Sequence, residues 1–385
     1  MAQDRLYGIG EPLTMRGLSG KIDPMESLEL MQAVGFRAFR EWMHIPVVLE
    51  NPTTPKPEVV AAYTRVLDRC AALDIEVTGM SHSWFLPEGC MQRSGNAAPP
   101  RDLTAGSLYM QMLEMLEQSW YTLVSCFPQV PMWEVGNEWN AHCFLHPDGF
   151  AQRGRTGGFT PAQKADIALD LMYFSAKGIR RANPAAKVVS FSPCRVSEDQ
   201  GGDLPYYLPA NYEIAAALER LYSRIASGQS WSTRTDDYFD LVAWHPYVSH
   251  DAPPDDVWKD VSDAAYRVMQ RYGDGHKQVL ITEFGYTDIF DAEKEKRHAE
   301  YYRKIFDYCR QMPYLRTLHV FRLYEEYAML ERNEPGTVGG AYEVTFGIFT
   351  EPEHGHKPRA KAIELQKLCG GTGDLWKYAK QREAL

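Results

Sequence analysis

Short apolar runs of strand length alternate with stretches of helical period along all 385 residues, and this alternation constrains the fold more than any other feature. A strand buried on both faces reads as an unbroken apolar run, and parallel strands need a long crossover, usually a helix, between them. The strand signals are Leu6–Ile9, Phe36–Trp42, Glu76–Met80, Val130–Val135, Val188–Phe191, Asp240–His245, Val279–Glu283 and Leu318–Phe321. Helical patterns follow them at 24–34, 58–73, 104–126, 161–182, 212–226, 257–272, 293–312 and 358–368. Asp23 caps the first of these, with Pro24 at its start and Glu26 three residues after the cap, a recognisable helix opening. The stretch 343–351 reads as a short hairpin strand before the last helix. Eight βα units in one series, with no break in composition, predict an α/β fold: a single (β/α)₈ barrel spanning residues 1–385. Long loops follow strands three, four, five and eight, on the face where this architecture builds its sites.

Composition narrows the partners. A net charge of −10 argues against nucleic acid or an anionic membrane surface. No run reaches the roughly 18 apolar residues of a membrane helix. Met1–Arg5 lacks the basic-then-apolar opening of a signal peptide, so a cytoplasmic location is expected, or secretion if a signal has been removed. The seven cysteines form no Cys-x-x-Cys, which speaks against a zinc ribbon or a thioredoxin motif. Cys70, Cys126 and Cys309 sit on apolar helix faces and read as buried thiols. Twenty-two Tyr and nine Trp are a supply of rings on which pyranose faces stack.

Two of the strands end in an acid. Strand four runs into Gly136-Asn137-Glu138-Trp139, and strand seven ends at Thr282-Glu283. Two strand-end glutamates on one barrel face are what acid/base chemistry on a glycosidic bond requires. Glu134 shares a strand face with Gly136 and Glu138, so it points into the barrel and needs a polar partner there, in a structural role.

Asn137-Glu138 on strand four and Glu283 on strand seven resemble the signature of the clan A retaining glycoside hydrolases, of the kind seen in families 5 and 39. The resemblance covers roughly residues 6–368. It implies Glu138 as acid/base and Glu283 as nucleophile, with no cofactor and no metal. The strand 36–40 is similar to the clan's second strand, which implies Arg40 beneath the nucleophile, holding it ionised. Trp244-His245-Pro246-Tyr247 resembles its strand-six His-x-Tyr, implying Tyr247 as a donor to Glu283 and His245 near Glu138. Asn137 is expected at a sugar 2-hydroxyl and His82 at other hydroxyls. Trp84, Trp139 and Tyr324 are candidate sugar contacts; Trp84 and Trp139, with Trp42 and Trp231, serve equally well as packing. The stretch from Gly347 to Pro358 resembles the clan's closing hairpin. Two positions depart from its pattern. Gly136-Asn137-Glu138-Trp139 stands where many members have Trp-Asn-Glu-Pro, and strand eight ends in Phe321-Arg322-Leu323-Tyr324 where many carry a tryptophan under the first sugar.

The expected activity is double-displacement hydrolysis of a β-linked glycoside or short oligosaccharide, exo- rather than endo-acting if the long loops wall off a pocket, although a cleft with insertions reads the same way. One rival is a carbohydrate-binding barrel that is non-catalytic or transglycosylating; loss of one glutamate is the usual mark of the non-catalytic kind, and both are present. Another is a metal-dependent barrel hydrolase. It lacks the His-x-His that such enzymes carry on strand one, and the pair His142 and His146, like His354 and His356, falls in loops. Sugar, linkage and oligomeric state are not specified by the sequence.

Overall fold

The computed structural model describes residues 6–90, 96–141, 144–147, 158–195, 213–248, 253–331 and 344–380. Its centre is an eight-stranded sheet of β1 (Leu6–Glu11), β2 (Ala38–Trp42), β3 (Glu76–Ser81), β4 (Met132–Val135), β5 (Lys187–Val189), β6 (Val242–Trp244), β7 (Val279–Phe284) and β8 (Leu315–Phe321). The order is β5-β4-β3-β2-β1-β8-β7-β6, and every pairing is parallel. A parallel bridge between Val189 and Leu241 joins the two end strands, with Ser190 N–H donating to the Leu241 carbonyl at 3.0 Å. The sheet is thereby a barrel.

Around it lie α1 (Pro24–Val34), α2 (Pro57–Ala72), α3 (Leu108–Cys126), α4 (Pro161–Ala182), α5 (Glu213–Ala226), α6 (Asp255–Arg271), α7 (Ala292–Gln311) and α8 (Ala360–Cys369). Their starts follow local chemistry. Asp23 accepts from the N–H groups of Met25 and Glu26, and Thr160 and Gln163 form a reciprocal capping box. Helix α3 begins four residues later than its periodicity suggests, because Ser107 is the residue whose hydroxyl takes the Met110 N–H. The proline-rich connection after β2 holds a helical turn, Ile45–Val48, and a small antiparallel ladder of Leu49–Asn51 with Thr54–Pro55. Residues 344–351 do not form the expected hairpin strand. Phe349 makes only isolated bridges, to Tyr324 and Pro358, and Glu343 lies outside the described residues. Cys70 and Cys309 are buried, whereas Cys126 is half-buried. Among the described residues no helix is long and apolar enough to cross a membrane.

The period-two alternation of each strand sorts the barrel into two environments. Outward side chains meet the helices, as where Trp133 packs edge-on against Trp120 of α3 at 5.9 Å. Inward side chains form layers. Met132, Val189, Leu241, Ala243 and Leu280 make an apolar cluster of their own. Two residues further along the same strand faces come Glu134, Thr282 and His245, all fully buried. Polar groups therefore sit on an apolar floor, at the end where the strands terminate.

Candidate active site

Arg40 crosses the barrel to reach this polar layer. It lies on β2, whose ladder neighbours are β1 and β3, yet its guanidinium bonds side chains of β4 and β7. Nε donates to Glu134 Oε2 at 2.5 Å, and Nη2 to Glu134 Oε1 at 3.0 Å and Asn137 Oδ1 at 2.8 Å. Nη1 donates to Glu283 Oε1. One cation is thus shared by two carboxylates and an amide, with no solvent exposure of its own. Its bond to Asn137 Oδ1 fixes that amide with the NH₂ turned away from the guanidinium.

Asn137 and Glu138 follow β4 in a turn that requires glycine at 136. Gly136 has φ of +88°, and a Cβ there would come within 2.3 Å of the Trp139 ring, so both conformation and space demand glycine. Glu138 itself adopts φ of +47°, a left-handed geometry uncommon for a residue with a side chain. Its N–H donates to the Ser192 carbonyl at 3.0 Å, which anchors the turn to the exit of β5.

Glu283 reaches the interior through an irregularity. The β7–β8 register pairs Ile281 with Leu318 and Phe284 with Val320, so β7 carries an extra residue between these pairs. Such a bulge lets consecutive side chains serve the same side. Thr282 bonds His245 and Glu134 while Glu283 takes Arg40 and, at 3.2 Å, the Tyr247 hydroxyl.

Glu138 and Glu283 thereby converge. A carboxylate oxygen of each and a ring nitrogen of His245 all lie within 4.8 Å of one another. Their partners differ. Glu138 Oε1 is 2.7 Å from His245 Nδ1, which is 3.8 Å from Glu283 Oε2. Burial pushes the Glu283 carboxyl above its ordinary value, and Arg40 pulls it back; Glu134 adds to the rise and Tyr247 opposes it. His245 is held neutral by burial, by Arg40 and by His319.

His82 stands at the exit of β3, its ring 4.3 Å from that of His44. Burial and then Arg40 push His44 down to about 4; burial, His44 and Arg40 hold His82 well below the ordinary imidazole value. These are neutral imidazoles at the mouth of the barrel. The other aromatic candidates are placed elsewhere. Trp139 is buried, stacked on Phe191 at 5.5 Å and edge-on to Trp84 at 6.0 Å, and Trp84 gives its indole N–H to the Ala97 carbonyl. Both are packing residues rather than open sugar platforms. Tyr324 is fully buried, with its hydroxyl between Ser27 and His356 Nε2, at 3.0 Å from each, away from the two glutamates. Its bulk follows β8 outward, which the run 321–324 could not reveal. The aromatic rings beside Arg40 are instead half-buried Trp42, 4.9 Å from the guanidinium carbon, and half-buried Phe321, 6.3 Å from Trp42.

Sequence reasoning did not single out Thr282, Ser192, His319 or His44. Thr282 was legible only as the residue before Glu283, and Ser192 carries no local signal. Among the described residues, two groups offer three metal-type ligands: Glu138, His245 and Glu283, and Glu351, Glu353 and His354. In the first, the Arg40 guanidinium already neutralises Glu283; in the second, Arg16 occupies Glu351. His142 of the candidate pair with His146 lies outside the described residues.

Neither a family model nor a curated protein matches the sequence. Solved structures do resemble it in fold. An exo-β-1,4-mannosidase from Opitutaceae bacterium strain TAV5 superposes with a TM-score of 0.61 at 15% identity, over 96% of this chain, which spans 60% of that one. A broad-specificity endoglucanase from Clostridium longisporum gives 0.64 at 14% identity, covering 96% of this chain and 97% of its own. Xylanase 10B from Thermotoga petrophila gives 0.58 at 14% identity, with 95% and 94% covered. What these likenesses establish is the architecture: this chain is a (β/α)₈ barrel.

Proposed function

We propose that the protein is a retaining glycoside hydrolase. The observation that carries this reading is the approach of Glu138 and Glu283 to within 4.8 Å at the ends of β4 and β7. Carboxyl groups roughly 5–5.5 Å apart suit attack and protonation on the same glycosidic bond, whereas an inverting pair needs roughly 6.5–9.5 Å to admit water. The neighbouring folds named above, a mannosidase, a xylanase and an endoglucanase, lend support in kind.

Glu283, charge-paired with Arg40 and oriented by Tyr247, attacks the anomeric carbon. As the new C–O bond forms, the electron pair of the glycosidic bond passes to the departing oxygen, and Glu138 gives that oxygen its proton. Glu138, now a carboxylate, then takes a proton from the water that releases the sugar from Glu283. Asn137, its amide NH₂ turned from Arg40, donates to the sugar 2-hydroxyl, a contact that strengthens as positive charge develops. His82 serves other hydroxyls. Trp42 and Phe321 supply the apolar face that the strand-eight tryptophan supplies elsewhere.

Our reading is exo-action on a β-linked glycoside or short oligosaccharide, from the long loops that follow β3, β4, β5 and β8. The test is a panel of aryl β-glucoside, galactoside, mannoside, xyloside and fucoside with α-arabinoside, followed by NMR of the first-formed sugar anomer. We expect hydrolysis of at least one with retained configuration. An inverted product would remove the double displacement, and inertness towards every glycoside, natural oligosaccharides included, would remove the enzyme.

A further inference from the structure

Glu134 is the one buried carboxylate of the polar layer to which the mechanism gives no task. It is fully buried. Four donors surround it: Arg40 Nε and Nη2, the Ser192 hydroxyl, and the Thr282 hydroxyl at 3.0 Å. Three of these donors meet Oε1 and one meets Oε2, and towards all four the carboxylate is the acceptor.

Consequences run in two directions. Through Arg40, Glu134 reaches Glu283. Through Thr282, it reaches Glu138, because Thr282 Oγ1 lies 2.9 Å from His245 Nε2 and His245 Nδ1 lies 2.7 Å from Glu138 Oε1. The second path has a direction. A threonine hydroxyl owns one proton, and here the Glu134 carboxylate at 3.0 Å and the Ser192 hydroxyl at 2.7 Å are the acceptors that claim it. Towards His245 the same oxygen can then only accept. The histidine must donate from Nε2, which leaves a lone pair on Nδ1. A lone pair 2.7 Å from a carboxyl oxygen makes a good bond only when that carboxyl holds the proton. The Ser192 hydroxyl, 2.7 Å from Thr282 Oγ1, does not alter this: with its own proton on Glu134 it can only accept from Thr282, so whichever of the two takes the threonine proton, that proton is turned away from His245.

We infer that Glu134 is a positioning residue that sets the tautomer of His245 through Thr282, and thereby biases Glu138 towards its protonated form. The inference rests on the glycosidase reading for its use but on hydrogen-bond geometry for its content. One anion, placed under both glutamates, steadies the guanidinium that serves the nucleophile and keeps the acid supplied with its proton. After the first step the same lone pair opposes the Glu138 carboxylate, which makes it a stronger base towards water. The groups facing His245 are Arg40 from β2, Glu134 and Glu138 from β4 and the turn after it, Glu283 from β7 and His319 from β8. His319 is itself pushed down to about 3, so it adds no proton to the circuit. A protonated His245, with both ring nitrogens donating, would stand against the Arg40 charge.

The direct test needs no substrate. In ¹⁵N-histidine-labelled protein near neutral pH, with His245 assigned by difference from His245→Gln, the long-range ¹H–¹⁵N pattern should be that of the Nε2–H tautomer. An Nδ1–H pattern, or a charged ring, overturns the inference. Kinetics give the second test. Thr282→Val removes the hydroxyl at nearly constant volume and frees the ring to turn its proton to Nδ1, where it would favour the Glu138 carboxylate. The alkaline limb of kcat/KM for a phenyl glycoside should then move down by about one pH unit, a roughly tenfold loss at the alkaline side. A dinitrophenyl glycoside, which barely needs the proton, should change little, and Thr282→Ser should restore the limb. A limb that stays in place in Thr282→Val, or equal losses for both leaving groups, overturns the inference. If the wild-type protein hydrolyses no glycoside, the glycosidase reading fails while the NMR result still decides the tautomer.

Discussion

Two buried clusters of carboxylates and arginines lie at the ends of the barrel strands, and they treat their charges in opposite ways. In the first, Arg40 is divided between Glu134 and Glu283, with Glu138 close by. In the second, Glu11 at the end of β1 takes Arg16 at 2.8 Å, Arg322 at 3.2 Å and the N–H groups of Leu323 and Tyr324 at 3.1 and 3.2 Å. Arg322 also pairs with Glu326, and Arg16 with Glu351. Each region buries its ions almost completely. In the second, arginines hold Glu11 and Glu326 below their ordinary values despite burial; in the first, the shared cation leaves Glu283 raised. In that network the arginines supply Glu11 and Glu326 with enough positive charge to hold them as anions. A site that passes protons, as proposed for the first cluster, is served by an acid whose value is raised, as that of Glu283 is. Ion pairs alone therefore do not mark a functional centre; the ratio of cations to carboxylates does.

The largest effect that would break this contrast is on activity. Glu283→Gly should lower hydrolysis by several orders of magnitude for every leaving group, on the order of 10⁴-fold or more, with azide giving a glycosyl azide of inverted configuration. Glu138→Ala should cost about 10²–10⁴-fold on leaving groups that need a proton and little on dinitrophenolate, with azide giving the retained product. Exchanged configurations would reverse the two roles. Near-full activity in both variants would demote the first cluster to another structural network.

Next in size is a stability effect in the second cluster. Glu11→Gln leaves two buried guanidinium groups short of an anion and should cost about 3 kcal/mol in urea unfolding, with kcat little changed in the fraction that folds. The sign of its pH dependence follows from the lowered Glu11 value. The contribution is fully present above the unfolded carboxyl's 4.5 and is lost as pH falls through the folded value. Wild type and Glu11→Gln should thus converge in stability in acid. A gap that persists there would mean packing, not charge, explains the cost.

The smallest effect separates the clusters by titration. Glu283 must be ionised to attack, and its value is raised above 4.5. The acid limb of kcat/KM should accordingly lie above that of a free glutamate, and Tyr247→Phe, which removes a donor to the carboxylate, should move it slightly higher. A limb below 4.5 would place Glu283 with the locked acids.

The sequence by itself determined the architecture and the two acids. Alternation of apolar runs with helical periods leaves few folds other than a barrel of βα units, and in such a barrel the carboxyl ends of the strands are where an acid can face a substrate. Hence Glu138 and Glu283 were legible as acids at strand ends, whereas Arg40, which lies within β2, and His245 and Tyr247 were legible only through their resemblance to the clan's second and sixth strands. Glu134 was legible as an inward acid in need of a partner, because strand alternation fixes its side. The identity of that partner was not, for Arg40 lies 94 positions away and only barrel closure joins them. Nor could alternation foresee the β7 bulge that brings Thr282 and Glu283 to one interior. The sequence left Trp84 and Trp139 open as sugar contacts or packing and offered Tyr324 as a sugar contact; all three are buried. Strand period tells which way a side chain points while the strand lasts. Past its end, the backbone turns under the demands of its neighbours, as Gly136 does against Trp139. There direction is decided by packing between segments distant in the chain, which is information that tertiary structure alone contains.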